Sequence, residues 1–310
     1  MKGFVQFIRQ VVGLTGPVAI ITAGLTGVLA MAAPGPVPAW VDDSTVARSD
    51  SAARIIPARM LGLSGKLRAV DVAPLAALVP TLARIAPGLH PTALTAPDGE
   101  SIQALSLVPL REKAGANWRG YRIGFWPGER TAGRRAPRYP LPDGFLEVTP
   151  ENQDLPLSAH FRVRDFLTHD QQDVWPKVLV IRLKLLDKLE LIQEALVALG
   201  KPAALHVMSG FRTPQYNALG VGPLGGRARD SRHMYGDAAD IFEDADGDGR
   251  MDDLDGDGRV TIRDAEWLAR VVASVEARHP EVTGGIGVYR ANSEHGPFVH
   301  VDTRGSVARW

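Results

Sequence analysis

The order of hydrophobic periods along the chain predicts an α+β fold: a small antiparallel sheet with packed helices, preceded by a small β-rich accessory domain. Three observations carry this. Leu185, Leu186, Leu189, Ile192, Leu196 and Leu199 fall near helical spacing, and Gly200 follows as a C-cap. ALHVMSGF then reads as a buried strand, and DAEWLARVVASVEARH reads as a second long helix with Asp264 near its start. IGVY and FVHVD are short strands further on. Helices first, then strands interleaved with one more helix, suit α+β better than a doubly wound sheet.

The N-terminus comes first in order. MKGFVQFIRQ carries Lys2 and Arg9, and no charge then occurs from Val11 to Ala33. A basic start, an apolar run and the small residues Ala30-Met31-Ala32 are the parts of a secretory signal. The run is also long enough for an uncleaved anchor, since about 20 apolar residues span a bilayer. Residues 1–33 are therefore expected to be a signal peptide or membrane anchor, and the remainder to be exported to the periplasm or cell envelope. The bland alternative is a buried soluble helix.

Residues 34–75 read as a linker: APGPVPAW is proline-rich, and DDSTVARSDSAAR is small and polar. Residues 76–150 change character. LAALVPTLARIA has a partial helical stripe, whereas SIQALSLVPL and WRGYRIGFW alternate like half-buried strands. This is the expected accessory domain. Trp118, Tyr121, Phe125 and Trp126 either form a surface for stacking on glycan or fill a small aromatic core, and aromatics bury large areas wherever they can. Residues 151–310 carry the stronger pattern, starting with a short helix at FRVRDFL.

Composition narrows the function. The 310 residues include 35 Lys and Arg against 35 Asp and Glu, so no net field draws the chain to nucleic acid or to a membrane surface. The absence of cysteine excludes disulfides, thiolate metal sites and a cysteine nucleophile. His233, Asp240 and His300 suit zinc together, because imidazole nitrogen and carboxylate oxygen are its ligands and three of them leave a fourth position open. Gly236 can fold His233 back beside Asp240. In FVHVD, Phe298, His300 and Asp302 share one strand face, with Val299 and Val301 on the other. Singly, each of the three is weak: a loop histidine is commonly a surface residue, and an aspartate before a strand is commonly a turn former.

Their combination with neighbouring blocks resembles a known family. SGFRTPQYN, SRHMYGDAADIF and GPFVHVDTRG are similar to the three signature blocks of the M15 metallopeptidases. That group includes D-Ala-D-Ala carboxypeptidases and murein endopeptidases. The nearest likeness is to a subgroup long described as a domain of unknown function. The resemblance spans roughly residues 150–310, and its most specific part is Ser231, His233, Gly236, Ala238 and Asp240. It implies that His233, Asp240 and His300 bind zinc, and that Arg212 binds substrate or steadies an oxyanion. A guanidinium suits that task through its permanent charge and forked donors, although a structural ion pair is the alternative. Ser209 and Ser231 are expected to orient ligands or substrate. The implied reaction is metal-assisted hydrolysis of a peptide bond in a peptidoglycan stem or cross-link, with a base returning its proton to the leaving amine.

The sequence departs from better-known relatives at that base. Where some have glutamate three residues before the last zinc histidine, this chain has Pro297, and where others have histidine two before it, this chain has Phe298. His295 and Asp302 are the leading candidates, ahead of Glu294. Asp302 is well aimed but about 6.5 Å along the strand from His300, and His295 sits on a loop.

The segment 244–264 crowds acids. Asp253, Asp255 and Asp257 occupy positions 1, 3 and 5 of an EF-hand-like loop, with Gly258 at 6, the Arg259 carbonyl at 7, Thr261 at 9 and Asp264 at 12. Upstream, Asp244, Asp246, Asp248, Gly249, Asp252 and Asp255 fit a similar repeat. The registers overlap, so two independent complete loops are impossible. Calcium is expected here; a solvated acidic loop is the alternative, disfavoured because so many carboxylates repel one another without a cation. Two other readings of the whole chain stay open: a non-catalytic recognition module on the same fold, and a calcium-stiffened structural or adhesion protein.

Overall fold

The computed structural model describes residues 101–130, 139–222 and 226–310, together with two strands, 54–57 and 88–95. The apolar run at 11–33 and the helical stripe expected at 75–86 lie outside the described residues. Among the described residues, no helix is long and apolar enough to cross a membrane.

The fold is α+β, as expected. The first sheet takes β1 (Arg54–Pro57), β2 (Gly88–Thr95), β3 (Ser101–Pro109), β6 (Gly144–Val148) and β7 (Lys177–Leu179). Both β1 and β2 pair with β3, and β3 continues through β6 to β7, all antiparallel. A small hairpin, β4 (Asn117–Trp118) and β5 (Tyr121–Arg122), stands beside it. The second sheet runs β12-β10-β11-β9-β8. It comprises β8 (Leu205–Ser209), β9 (Ala238–Glu243), β10 (Gly285–Tyr289), β11 (Phe298–Asp302) and β12 (Ala308–Arg309). Its pairs are antiparallel except β10 with β12.

Among the described residues three α-helices pack with these sheets: α1 (Leu183–Ala198), α2 (Pro214–Leu219) and α3 (Ile262–Arg278). Thr261 and Asp264 form a capping box that starts α3, satisfying amides that would otherwise be orphaned. Its apolar residues Ala265, Leu268, Val272 and Val275 are buried, and α3 lies against β10, β11 and α1. Polar residues of α1 are buried too. Lys188 is fully enclosed, pairs with Glu276 of α3 at 2.5 Å and donates to the Asp302 carbonyl at 2.7 Å, tying both helices to β11.

Residues of the stretch read as an accessory domain share a core with the domain that follows. Tyr121, Ile123, Trp126 and Phe145 belong to the same buried core as Phe166, Leu179, Tyr235 and Val301. The Ile123 carbonyl accepts from the Gln215 amide of α2 at 2.9 Å, and Trp126 Nε1 donates to the Met234 carbonyl at 2.6 Å. The aromatic residues therefore serve mainly as core, and the described residues of 107–130 and 139–148 pack onto the domain that follows them. Similarly, β1 lies inside the stretch expected to be linker.

Candidate metal centre

The site sits where β8, β9 and β11 meet a short turn. His233 is carried by the 3-10 turn Arg232–Tyr235, which Gly236 ends in the left-handed region at φ 72°. A side chain there would collide with the Val180 carbonyl, 2.4 Å from the Cβ position, so a turn this close to β7 needs glycine. The chain then enters β9, where Asp240 faces His300 of β11 as its direct cross-strand partner.

All three side chains are buried, at 2%, 4% and 9% exposure for His233, Asp240 and His300. Their ligand atoms converge. His300 Nδ1 lies 2.9 Å from Asp240 Oδ1 and 3.2 Å from His233 Nε2, and His233 Nε2 lies 3.3 Å from Asp240 Oδ1. Zinc bonds of about 2.0–2.1 Å place tetrahedral ligand atoms about 3.3 Å apart, so the triangle is the right size for one such ion. The donor set fits as well. His233 Nδ1 contacts the Gly210 carbonyl at 2.7 Å, which fixes the proton on Nδ1 and leaves the Nε2 lone pair facing inward.

Electrostatics favour the ligating forms of His233 and Asp240, whereas His300 is biased toward its protonated form. Burial, followed by the charge of Arg212, lowers the His233 pKa to about 4, so the ring is neutral near pH 7. Burial alone would raise Asp240, but the charge and hydrogen bond of His233, the hydrogen bond of His300 and the Arg212 guanidinium hold it well below the usual carboxylate range. Burial alone would lower His300, but hydrogen bonds to Asp240 and Asp302 outweigh it and raise the ring.

The remaining expected residues divide. Arg212 pairs with Asp240 Oδ2 and donates from Nε to Ser209 Oγ at 2.9 Å, so Ser209 aims the guanidinium at the site. Ser231 is buried at the head of the turn that carries His233. His295 stays in the loop before β11. Its Nδ1 contacts the Gly296 carbonyl at 2.7 Å, its Nε2 faces the Asn292 amide at 2.9 Å, and its ring stands edge-on against Phe298. Glu294 is exposed on that loop. Asp302 faces the Nε2 edge of His300, away from the nitrogen that meets Asp240 and His233. Arg304 clamps it through Nε at 2.9 and 3.0 Å, and the Gly285 amide donates to it at 2.8 Å. Burial would raise this carboxyl, yet the hydrogen bonds from His300, Arg304 and Gly285 drive it far below the usual range. A carboxylate so engaged lies on the outer edge of the ligand ring, which disfavours it as general base beside His295.

Several site residues escaped the sequence reading. Trp310 packs 5.3 Å from the His300 ring and over Gly287, where any Cβ would strike its indole. Its Nε1 donates to the Tyr289 hydroxyl at 2.7 Å, and Tyr289 stacks on Phe298 at 4.6 Å. Arg232, next to His233, pairs with buried Asp237 at 2.5 Å. The adjacency of Arg232 to a ligand histidine was the available signal; the cover by Trp310 depends on β12 joining the sheet and has none.

In the acidic insert, oxygens of Asp244, Asp246 and Asp248 lie within 4.8 Å of one another, and so do those of Asp253, Asp255 and Asp264. Asp253 accepts from the amides of Gly256 and Gly258, and Asp257 contributes Oδ1 to the Arg259 amide and Oδ2 to Arg263. Asp252 accepts from the Ala245 amide. Asp264 is fully buried, receiving the amides of Leu254 and Asp255 on one oxygen and that of Thr261 on the other.

No curated protein and no solved structure matches the chain. Residues 159–251, which run from the start of the site domain through His233 and Asp240 into the insert, match the family model described as Peptidase M15.

Proposed function

We propose that the chain is an exported zinc peptidase that cleaves peptide bonds in peptidoglycan stem peptides or cross-links. The single observation that carries the catalytic part is the buried triangle of His233 Nε2, Asp240 Oδ1 and His300 Nδ1, sized for one tetrahedral ion. Zinc held there supplies a Lewis acid and lowers the pKa of water toward about 7.

The chain's own groups do the rest. Arg212, aimed by Ser209, presents a permanent charge beside the ligand triangle, where a carbonyl oxygen gains negative charge as it is attacked. With Asp302 engaged elsewhere, His295 is the assigned proton carrier: its partners are loop groups, and Phe298 supports its ring on the sheet face shared with His300. Phe298, Tyr289 and Trp310 form an aromatic rim beside the site, with Tyr289 and Trp310 partly open to solvent. The peptidoglycan substrate and the exported location rest on the motif resemblance and on the basic-then-apolar N-terminus.

The same reading includes calcium in the insert. Its support is the pair of carboxylate clusters and the left-handed Gly249 and Gly258 at the sharp-turn position of each register. Asp264 serves chiefly as the cap of α3.

The test is digestion of purified sacculi by the zinc-loaded protein, with released muropeptides identified by mass spectrometry. Release by the wild type and none by His233→Ala is the expected result, and the products name the bond. A wild type that binds zinc and sacculi yet releases nothing supports the recognition-module reading, which the presence of Pro297 and Phe298 at the familiar base positions favours.

A further inference from the structure

We propose that Asp302 is a positioning residue, a carboxylate that fixes the tautomer and tilt of His300 so that Nδ1, not Nε2, is the metal-binding nitrogen. The inference rests on the metal reading of the site above.

An imidazole can ligate through either nitrogen, and the hydrogen bond at the other decides which. For His233 that partner is the Gly210 carbonyl on Nδ1. For His300 the geometry is reversed: Nδ1 points at Asp240 Oδ1 and His233 Nε2, while Nε2 faces Asp302 Oδ2 at 3.4 Å. The distance is at the long end for a hydrogen bond. Its strength comes from the charge of the acceptor and from enclosure: Asp302 has no exposed surface, and Trp310 lies against the His300 ring.

The carboxylate is itself held rigidly. Oδ1 takes the amides of Gly285 and Arg304, and the Arg304 guanidinium spans both oxygens. The Asp302 carbonyl is anchored by buried Lys188. Arg232, immediately before His233, stands between Asp237 and Asp302, with its Nε 3.8 Å from Asp302 Oδ1. One charged layer thus lies behind both histidines. Such a layer keeps Asp302 ionised and immobile, the two properties a ring-orienting acceptor needs.

Asp302→Asn tests this, since the amide keeps the shape and loses the charge. Zinc affinity is measured by competition with a chelating dye, alongside the melting temperature of the metal-stripped protein. The expected result is about 10–100-fold weaker zinc binding, the usual cost of removing such a support. A second measurement, the 15N–1H long-range spectrum of the histidine rings in wild-type protein loaded with zinc, is expected to show His300 protonated at Nε2 and ligated at Nδ1. A variant that binds zinc within twofold of wild type, or a His300 ligated through Nε2, overturns the proposal while leaving the zinc site standing. A wild type that binds no zinc, with a titration indistinguishable from that of His233→Ala, overturns the metal reading itself.

Discussion

Asp240 and His300 are direct partners on antiparallel strands β9 and β11, and their side chains meet at 2.9 Å although 60 residues separate them. Strand register is what makes this pair. A slip of one residue would turn His300 to the core and bring Val299 or Val301 to the ligand face. The site is therefore as firm as the sheet, whose far side is held by the buried valines and by α3. Replacing any of the three ligands, as in Asp240→Ala, is expected to cost more zinc affinity than the about 10–100-fold loss typical of a supporting residue. Chelator competition reads this directly, and near-normal affinity would contradict the assigned ligand set.

Arg212→Lys is expected to lower kcat by about 10²–10³ while zinc content stays near the wild-type level. Lysine keeps the charge but loses the forked donors that contact Ser209 and Asp240 together. Ser209→Ala should have a smaller effect in the same direction. Steady-state rates beside metal analysis separate a fault in chemistry from a fault in metal loading.

Gly236→Ala is expected to destabilise the domain by about 1–3 kcal/mol from the left-handed backbone alone. The contact with the Val180 carbonyl adds to that cost. Because this turn carries His233, zinc affinity should fall along with the melting temperature. An unchanged melting temperature would mean that the turn is held differently.

Glu243 gives a pH signature. It ends β9, is buried, and has its pKa raised from 4.5 to about 7, first by burial and then by the hydrogen bond and charge of Asp252. The folded state therefore holds a proton that the unfolded state releases, and stability falls as pH rises from about 4.5 to about 7. Glu243→Gln should flatten this stretch of the stability curve in calcium-free buffer. Parallel melting curves for wild type and variant across that range would refute the assignment.

Calcium is expected to raise the melting temperature of the chain, since a cation bound only to the folded state at about 100 times its Kd contributes about 2.7 kcal/mol. Asp253→Asn combined with Asp255→Asn should remove the response without touching the α3 cap. If calcium changes neither melting temperature nor zinc-dependent activity, the insert is an acidic loop and nothing more.

Much of this was legible in the chain. Helical spacing located α1 and α3 because each buries apolar residues at that period, alternation located β3 and β11, and short apolar runs located β8 and β10. The ligand residues were legible because metal chemistry restricts which side chains can serve and because their flanking motif is dense. Lys188 was not legible, since a lysine within a helix normally marks its solvated face; here Glu276 and the Asp302 carbonyl compensate its burial. Nor was the packing of Tyr121, Ile123, Trp126 and Phe145 into the core of the site domain, because apolar residues do not specify which neighbour will bury them.

By itself, then, the sequence determined the α+β class, the identity of His233, Asp240 and His300, and the acidic insert, since these follow from local periodicity and from the chemistry that a side chain carries wherever it lies. Only the tertiary structure decided that Asp302 meets the Nε2 edge of His300, that Ser209 meets Arg212, and that Trp126 braces the Met234 carbonyl beside the site. Those roles depend on which edge of a ring or end of a side chain meets its partner, and such directions are set by strand register and long-range packing.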